Sequence, residues 1–355
     1  MPPRADTIAA LATPTGTSAI ALVRISGPDT KRLAAEICGA VPPARRARHT
    51  DYRGRDGALI DDVIVIFLAG PKSFTGEDSL EVTCHGNPFI AQKLLEDLFA
   101  RGCRPAEPGE FTQRAFLNGR MDLSQAEAVM DLIHARSDRA LAAANQQLRG
   151  SLGRRMQGLI DSLLGVLARI EAYIDFPEED LPPEDQKAVL RDISLIILQT
   201  NMLLATSHYG DLLRDGIKTV ILGAPNAGKS SLLNRLVGKD RALVSPEPGT
   251  TRDFIEERII VGPHCLRLID TAGFNRSPAP LEKLGIEKTL ERALEADLLL
   301  VVLDAAGQVA PPFPSELLSK LQSAAAVVVL NKIDLAPGAT ALFSIPGAPI
   351  VPVSA

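Results

Sequence analysis

The feature that most constrains this chain is Gly223-Ala-Pro-Asn-Ala-Gly-Lys-Ser230, a G-x-x-x-x-G-K-[ST] loop. It follows the apolar run KTVIL (218–222) and precedes a predicted helix, Ser231 to Val237. A strand, a glycine loop and a helix in that order form a phosphate cradle. The glycines let backbone N–H groups wrap phosphate oxygens, and the helix N-terminus adds partial positive charge. Lys229 suits the β- and γ-phosphates and the Ser230 hydroxyl suits Mg²⁺. Nucleotide contacts are expected along Asn226, Ala227, Gly228, Lys229, Ser230 and Ser231. The runs LRLID (266–270), LLLVVLD (298–304) and AVVVLN (326–331) read as further buried parallel strands. With helical segments between them, residues 217–355 are predicted to be an α/β doubly wound domain with a mainly parallel sheet.

Motifs at the ends of these strands point to guanine. Asp270-Thr271-Ala272-Gly273 closes one strand, where an Asp can hold the Mg²⁺ shell and the Gly273 N–H can read a γ-phosphate. Asn331-Lys332-Ile-Asp334 closes another. The Asp334 carboxylate can accept from guanine N1–H and N2–H₂, a pair that adenine lacks. Ser354-Ala355 stands where a backbone contact to guanine O6 is expected. Pro248-Gly249-Thr250-Thr251-Arg-Asp253 reads as a switch loop, with Thr251 completing Mg²⁺ coordination. Phe274 occupies the position after Gly273, and a phenyl ring cannot orient water. Arg276 and Glu282 are the nearest polar candidates for that task.

The rest of the chain differs in pattern. Residues 1–118 read as α+β, with strands at Ile20 to Ser26, Ile60 to Leu68 and Leu80 to Cys84 and a helix from Pro88 to Ala100. Residues 119–216 read as helical. A capping-box pattern at Ser124-x-x-Glu127 starts this region, followed by helices over about 151–174 and 184–214. Leu159, Leu163, Val166, Leu167 and Ile170 form the apolar stripe of the first of these two. The helical region holds 10 basic and 15 acidic side chains, so it accounts for the whole net charge of -5. No basic excess advertises nucleic acid; RNA affinity must come from a local patch or a partner. Cys38, Cys84, Cys103 and Cys265 are too scattered for a disulfide framework. No signal-peptide pattern opens the chain, and no unbroken apolar run approaches the roughly 20 residues of a membrane helix. The expectation is a soluble cytoplasmic protein that does not engage a membrane.

The constellation resembles the tRNA modification GTPase family called MnmE or TrmE. The resemblance rests on Asp6-Thr-Ile-Ala-Ala-Leu-Ala-Thr-Pro14, Val23-Arg-Ile-Ser-Gly27, Phe74-Thr-Gly-Glu-Asp78, Cys84-His-Gly86 and Pro108-Gly-Glu-Phe-Thr112. It rests most specifically on Arg114-Ala-Phe-Leu-Asn-Gly-Arg-Met-Asp-Leu123, continued by Gln125-Ala-Glu-Ala128, and on Ala172-Tyr-Ile-Asp-Phe-Pro177. It implies three domains: an N-terminal tetrahydrofolate-binding and dimerisation domain (1–118), a helical domain (119–216) and a GTPase domain (217–355). Folate contacts are implied at Arg24, Glu81 and Arg120, for 5,10-methylene- or 5-formyl-tetrahydrofolate. A catalytic K⁺ is implied at Asn226, Ser245, Glu247 and Thr250, with Pro246 in the same loop and Glu282 orienting the water.

The resemblance further implies a homodimer that joins the flavoprotein MnmG (GidA) in a heterotetramer or larger complex and acts on tRNA. The pair modifies C5 of the wobble uridine, with FAD and NADH carried by the flavoprotein. Asn275-Arg276 departs from the family's usual switch sequence. The family also continues into a helical segment ending in Cys-x-Gly-Lys, which is absent here, so a C-terminally truncated member that binds GTP without supporting modification is an open alternative. A GTP-switched RNA-binding or ribosome-assembly factor of the Era type is the other, and it has no reason to carry residues 1–118.

Overall fold

The computed structural model describes residues 6–175, 184–239, 256–269, 289–307, 313–341 and 343–355. The chain divides into two compact units. One comprises Met1–Val129 with Gln147–Gly153, and the other Met130–Gln146 with Arg154–Ala355.

The first unit is a six-stranded sheet with helices against one face. Its elements are β1 (Ile8–Leu11), β2 (Ile20–Ser26), α1 (Thr30–Cys38), β3 (Ala47–Arg53), β4 (Leu59–Leu68), β5 (Ser79–His85), α2 (Pro88–Ala100), β6 (Arg104–Pro105) and α3 (Glu110–Leu117). The strand order is β3-β4-β5-β2-β1-β6, antiparallel except for the β1–β6 pair. Alternation decides the faces. Ala21, Val23 and Ile25 of β2 join Val63, Val65, Leu80 and Val82 in a core closed by Leu33, Ala34 and Ile37 of α1 and by Leu94 and Leu98 of α2. Each fully buried Leu among these contributes about 2 kcal/mol. Helix α2 starts where Asn87 accepts from the Phe89 N–H and Pro88 takes the first turn. The intervening residues of β2 and β5 face the other way, and there Arg24 stands opposite Glu81.

The predicted helix start after residue 119 is corrected by two positions. Helix α4 (Leu123–His134) is boxed by Asp122 and Gln125, not by Ser124 and Glu127. Asp122 Oδ1 accepts from the Gln125 N–H (2.8 Å), and Gln125 Oε1 accepts from the Asp122 N–H (2.9 Å). Ser124 donates its hydroxyl to the same Asp122 oxygen. Helices α5 (Asp138–Leu148), α6 (Ser151–Asp175), α7 (Glu184–Leu204) and α8 (Ser207–Asp215) follow, so the single helix expected over 184–214 is broken at 205–206. Of the apolar stripe expected on α6, only Val166 is buried; Leu163 and Leu167 are about half exposed. Within Lys187–Asp215 an 18-residue stretch reaches a mean hydropathy of 1.4, enough to cross a membrane by length and composition alone. Arg191 and Asp192 interrupt this stretch, so it is not a continuous apolar run.

The second unit contains a six-stranded sheet built from β7 (Ile217–Gly223), β8 (Glu256–Val261), β9 (His264–Ile269), β10 (Leu298–Asp304), β11 (Ala325–Asn331) and β12 (Ile350–Pro352). The order is β12-β11-β10-β7-β9-β8, parallel except for β8. Both faces are covered, as the continuous apolar runs require. Helix α9 (Lys229–Lys239) places Leu232 and Leu233 against Ile221, Leu268 and Val302. Helix α10 (Ser315–Ser323) places Leu317 and Leu321 on the opposite face, against Leu299, Val301 and Val328. This is the α/β nucleotide-binding architecture expected from the sequence.

Candidate functional site

The phosphate loop leaves β7 at Gly223 and enters α9 at Lys229. Asn226 adopts a left-handed φ of 61°, which costs an L-residue roughly 1–2 kcal/mol and turns successive N–H groups inward. Lys229 is buried, and its ammonium donates to the Gly223 and Ala224 carbonyls (3.3 and 2.9 Å). Ser230 and Ser231 begin the helix behind it.

The segment expected to read the base is hydrogen-bonded to this loop. Asn331 is 1% exposed; its Nδ2 donates to the Ala227 carbonyl (2.9 Å) and its Oδ1 accepts from the Ala355 N–H (3.1 Å). Lys332, also left-handed at φ 61°, donates to the Asn226 carbonyl (2.8 Å) and to Asp304 Oδ2 (2.7 Å). Ser354 donates its hydroxyl to Asp334 Oδ1 (2.6 Å), fixing the carboxylate expected to read guanine. A Cβ on Gly228 would lie 2.0 Å from Asn331 Nδ2, so only glycine permits this approach. The expected Asn226, Ala227, Gly228, Lys229, Asn331, Lys332, Asp334, Ser354 and Ala355 therefore converge on one sheet end. The donor set fits a Mg²⁺-bound guanine nucleotide: N–H groups and an ammonium for phosphate, a hydroxyl for the metal and a carboxylate for the base.

Several expected residues lie outside the described residues: Ser245, Pro246, Glu247, Pro248, Gly249, Thr250, Thr251, Asp270, Thr271, Ala272, Gly273 and Glu282. Of the expected K⁺ ligands, Asn226 alone is described. Asp304 was not singled out from the sequence. The signal was its place at the end of an apolar strand, the same place that drew attention to Asp270. Burial pushes its pKa up, but the Lys332 hydrogen bond and the Ala306 N–H outweigh burial and hold it below the usual carboxylate range.

The first unit carries a second constellation, on the sheet face away from its helices. Arg24 Nε and Nη2 both donate to Glu81 Oε1 (3.0 and 2.7 Å). Glu81 Oε2 makes no hydrogen bond among the described residues. The Arg24 guanidinium lies 5.2 Å from the Phe74 ring centroid and 5.8 Å from that of Phe111. Arg120 donates from Nε to the Ser73 carbonyl (3.3 Å), beside Phe74. An acceptor oxygen, a cation and two rings at one place fit a flat heterocycle with N–H donors, and the guanidinium of Arg120 fits a carboxylate tail. The three expected folate residues thus lie around one loop. Phe74 and Phe111 were missed as site residues, although both fall within the quoted motifs and aromatic residues make up only 4% of the chain.

Comparison with known proteins places the chain in a family. The model described as "GTP-binding protein TrmE N-terminus" matches residues 7–120, and "MnmE helical domain" matches residues 123–355. The chain is 63% identical over 338 residues to the tRNA modification GTPase MnmE of Opitutus terrae, covering 95% of this chain and 75% of that protein. It is 48% identical to the protein of that name from Akkermansia muciniphila, covering 93% of this chain and 73% of the relative. With the protein of that name from Symbiobacterium thermophilum the identity is 44%, covering 99% of this chain and 79% of the relative. Among solved structures, Era in complex with MgGDPNP and 16S ribosomal RNA nucleotides aligns at 29% identity over 39% of this chain and 50% of that one, with a TM-score of 0.30. The two family models together and the extent of these identities show that the chain belongs to the tRNA modification GTPase MnmE family.

Proposed function

We propose that this chain binds and hydrolyses GTP with Mg²⁺ at the end of its parallel sheet and uses that cycle in modifying C5 of a tRNA wobble uridine. The observation that carries the reading is the bridge from Asn331 and Lys332 to the carbonyls of Ala227 and Asn226, which ties base recognition to the phosphate loop. Lys229 would hold the β- and γ-phosphates, Ser230 and Thr251 the metal, and Asp334 the guanine edge. Mg²⁺ neutralises phosphate charge when bound. A K⁺ held by Asn226, Ser245, Glu247 and Thr250 and a water-orienting Glu282 complete the proposed GTPase centre. The Arg24–Glu81 face takes a tetrahydrofolate one-carbon donor.

The three-part organisation (1–118, 119–216, 217–355), the homodimer, the flavoprotein MnmG as partner and the cytoplasmic location belong to the same reading. An RNA-assembly GTPase would have no use for an Arg24–Glu81 pair with two phenyl rings beside Arg24.

The deciding experiment measures triphosphate hydrolysis with GTP, ATP and xanthosine triphosphate, in K⁺ and in Na⁺ at matched ionic strength. GTP turnover is expected to exceed ATP turnover and to be faster in K⁺. The Asp334→Asn variant is expected to shift preference to xanthosine triphosphate, because xanthine offers an acceptor where guanine offers N2–H₂. ATP turnover equal to GTP turnover would overturn the nucleotide assignment, and equal rates in the two salts would overturn the cation.

A further inference from the structure

The loop that carries Phe74 joins β4 to β5 and lies over a buried polar cluster. The Ser26 hydroxyl pairs with Thr75 Oγ1 (2.6 Å) and donates to Glu77 Oε2 (2.7 Å), and the Glu77 N–H donates to Thr75 Oγ1 (3.2 Å). Ser26 and Thr75 are fully buried. Arg114 of α3 reaches into the cluster, with Nη1 at 3.3 and 3.2 Å from the two Glu77 oxygens. Arg114 is 7% exposed at its side chain and Glu77 19%, so the pair is shielded from water on one side at least.

This pair ties together the segments that carry the walls of the Arg24 site. Ser26 is two residues from Arg24 along β2 and points to the same sheet face, because side-chain direction repeats every second residue. Thr75 and Glu77 bracket the turn after Phe74. Phe111 lies one helical turn before Arg114 on α3, so the two share a helix face. Asn118 Nδ2 donates to the Thr75 carbonyl (2.8 Å), and the Gly76 turn, at φ 82°, packs so closely that a Cβ there would lie 3.0 Å from Arg120 Cγ.

We propose that Glu77 and Arg114 are positioning residues which, through their partly buried ion pair, set the spacing of Phe74 and Phe111 about Arg24 and thereby the affinity for a tetrahydrofolate. This inference rests on the folate reading of the Arg24–Glu81 face. Neither residue has to touch the ligand; each acts through the ring on its own segment.

The test uses the full chain with Glu77→Gln, Arg114→Lys, the double variant, Arg24→Ala, and Tyr52→Phe as a control. Tyr52 packs among the helices on the other sheet face and bonds to Asp97. Two quantities are read: the Kd for 5-formyl-tetrahydrofolate by calorimetry, and the Arg24 Nε–H resonance of the free protein. Glu77→Gln keeps the acceptor for Ser26 and loses the charge facing Arg114. It is expected to raise the Kd about tenfold and to broaden or shift the resonance. Arg114→Lys should act in the same direction, and the double variant should cost less than the sum of the two. Tyr52→Phe, at a comparable loss of melting temperature, should change neither quantity. If Arg24→Ala weakens folate binding while Glu77→Gln alters neither the Kd nor the resonance, the positioning role is overturned and the ligand reading stands. If Arg24→Ala leaves the Kd unchanged, the ligand reading fails and the proposal falls with it, even where Glu77→Gln moves the resonance.

Discussion

Lys332 and Asp304 form an ion pair of 2.7 Å between the ends of two adjacent parallel strands, β10 and β11. The same ammonium donates to the Asn226 carbonyl, and Asp304 Oδ1 in turn accepts from the Ala306 and Gly307 N–H groups. Asp304 therefore sets where Lys332 lies across the phosphate loop. Asp304→Ala should speed dissociation of a fluorescent GDP analogue about tenfold or more, since one member of a charge-assisted pair is worth about 1.5–3 kcal/mol. Asp304→Asn, which can still accept from the two N–H groups, should lie between wild type and Ala. Wild-type dissociation in Asp304→Ala would show that Lys332 needs no anchor.

The close approach at Gly228 supplies a sharper test. Its φ of 93° disfavours any L-side chain, and the Cβ of Gly228→Ala would meet Asn331 Nδ2 at 2.0 Å. Either the phosphate loop or the base-reading strand must then move. Nucleotide binding in filter or fluorescence assays should fall below detection at micromolar protein, while circular dichroism keeps the α/β signature. Retained binding would mean that the Asn331–Ala227 bond is dispensable.

Much of this was legible where one local rule dominates. Strand β2 and helix α2 match the pattern-based bounds because alternation in the one and the spacing of Ile90, Leu94, Leu95 and Leu98 in the other leave no competing register. Strands β1 and β3 were missed for opposite reasons. Ile8 to Leu11 is four apolar residues, too few for a period, and Ala47 to Arg53 is a polar edge strand whose one buried side chain is Tyr52. The α6 stripe has helical spacing, but only Val166 of it is buried, and periodicity cannot say what covers the rest. In the sites, the phosphate loop could be read because its ligands are contiguous. Asp304, Phe74 and Phe111 act only through partners 28, 50 and 87 positions away in sequence (Lys332 and, for both rings, Arg24), and no local pattern encodes such convergence.

The acid side of the stability curve tests the ion network beside α3. Burial alone would raise the Glu110 pKa; the Arg104 hydrogen bond, the Glu107 N–H and Arg114 outweigh it and bring the value from 4.5 to about 2. A carboxylate lowered in this way stabilises the fold above its unfolded pKa and loses that contribution as pH falls through its folded one. The loss should run from about pH 4.5 down to about pH 2 and amount to about 3 kcal/mol at most. Urea unfolding at stepped pH should show Glu110→Gln flattening the curve in that window. An unchanged acid slope would remove Glu110 from the network's energetics.

Glu81 Oε2, which makes no hydrogen bond among the described residues, separates binding from mere ion pairing on the N-terminal sheet face. Both Arg24 nitrogens bond to Oε1, so Oε2 is the acceptor left for a ligand N–H. Both side chains are partly exposed, 26% for Arg24 and 20% for Glu81, and an ion pair at that exposure is worth about 1 kcal/mol or less to stability. Glu81→Gln should therefore leave the melting temperature within a few degrees of wild type. Its effect on 5-formyl-tetrahydrofolate should be larger, about tenfold or more in Kd, because a charged acceptor facing N–H donors is replaced by a neutral amide. Arg24→Ala should cost affinity too, but by a different route: it frees Glu81 Oε1 while removing the cation that Phe74 and Phe111 flank. The two variants together should lose less than their separate effects add to, since each disables the same pair. Strict additivity in calorimetry would mean that Arg24 and Glu81 meet the ligand independently, and an unchanged Kd in both would remove this face from folate binding.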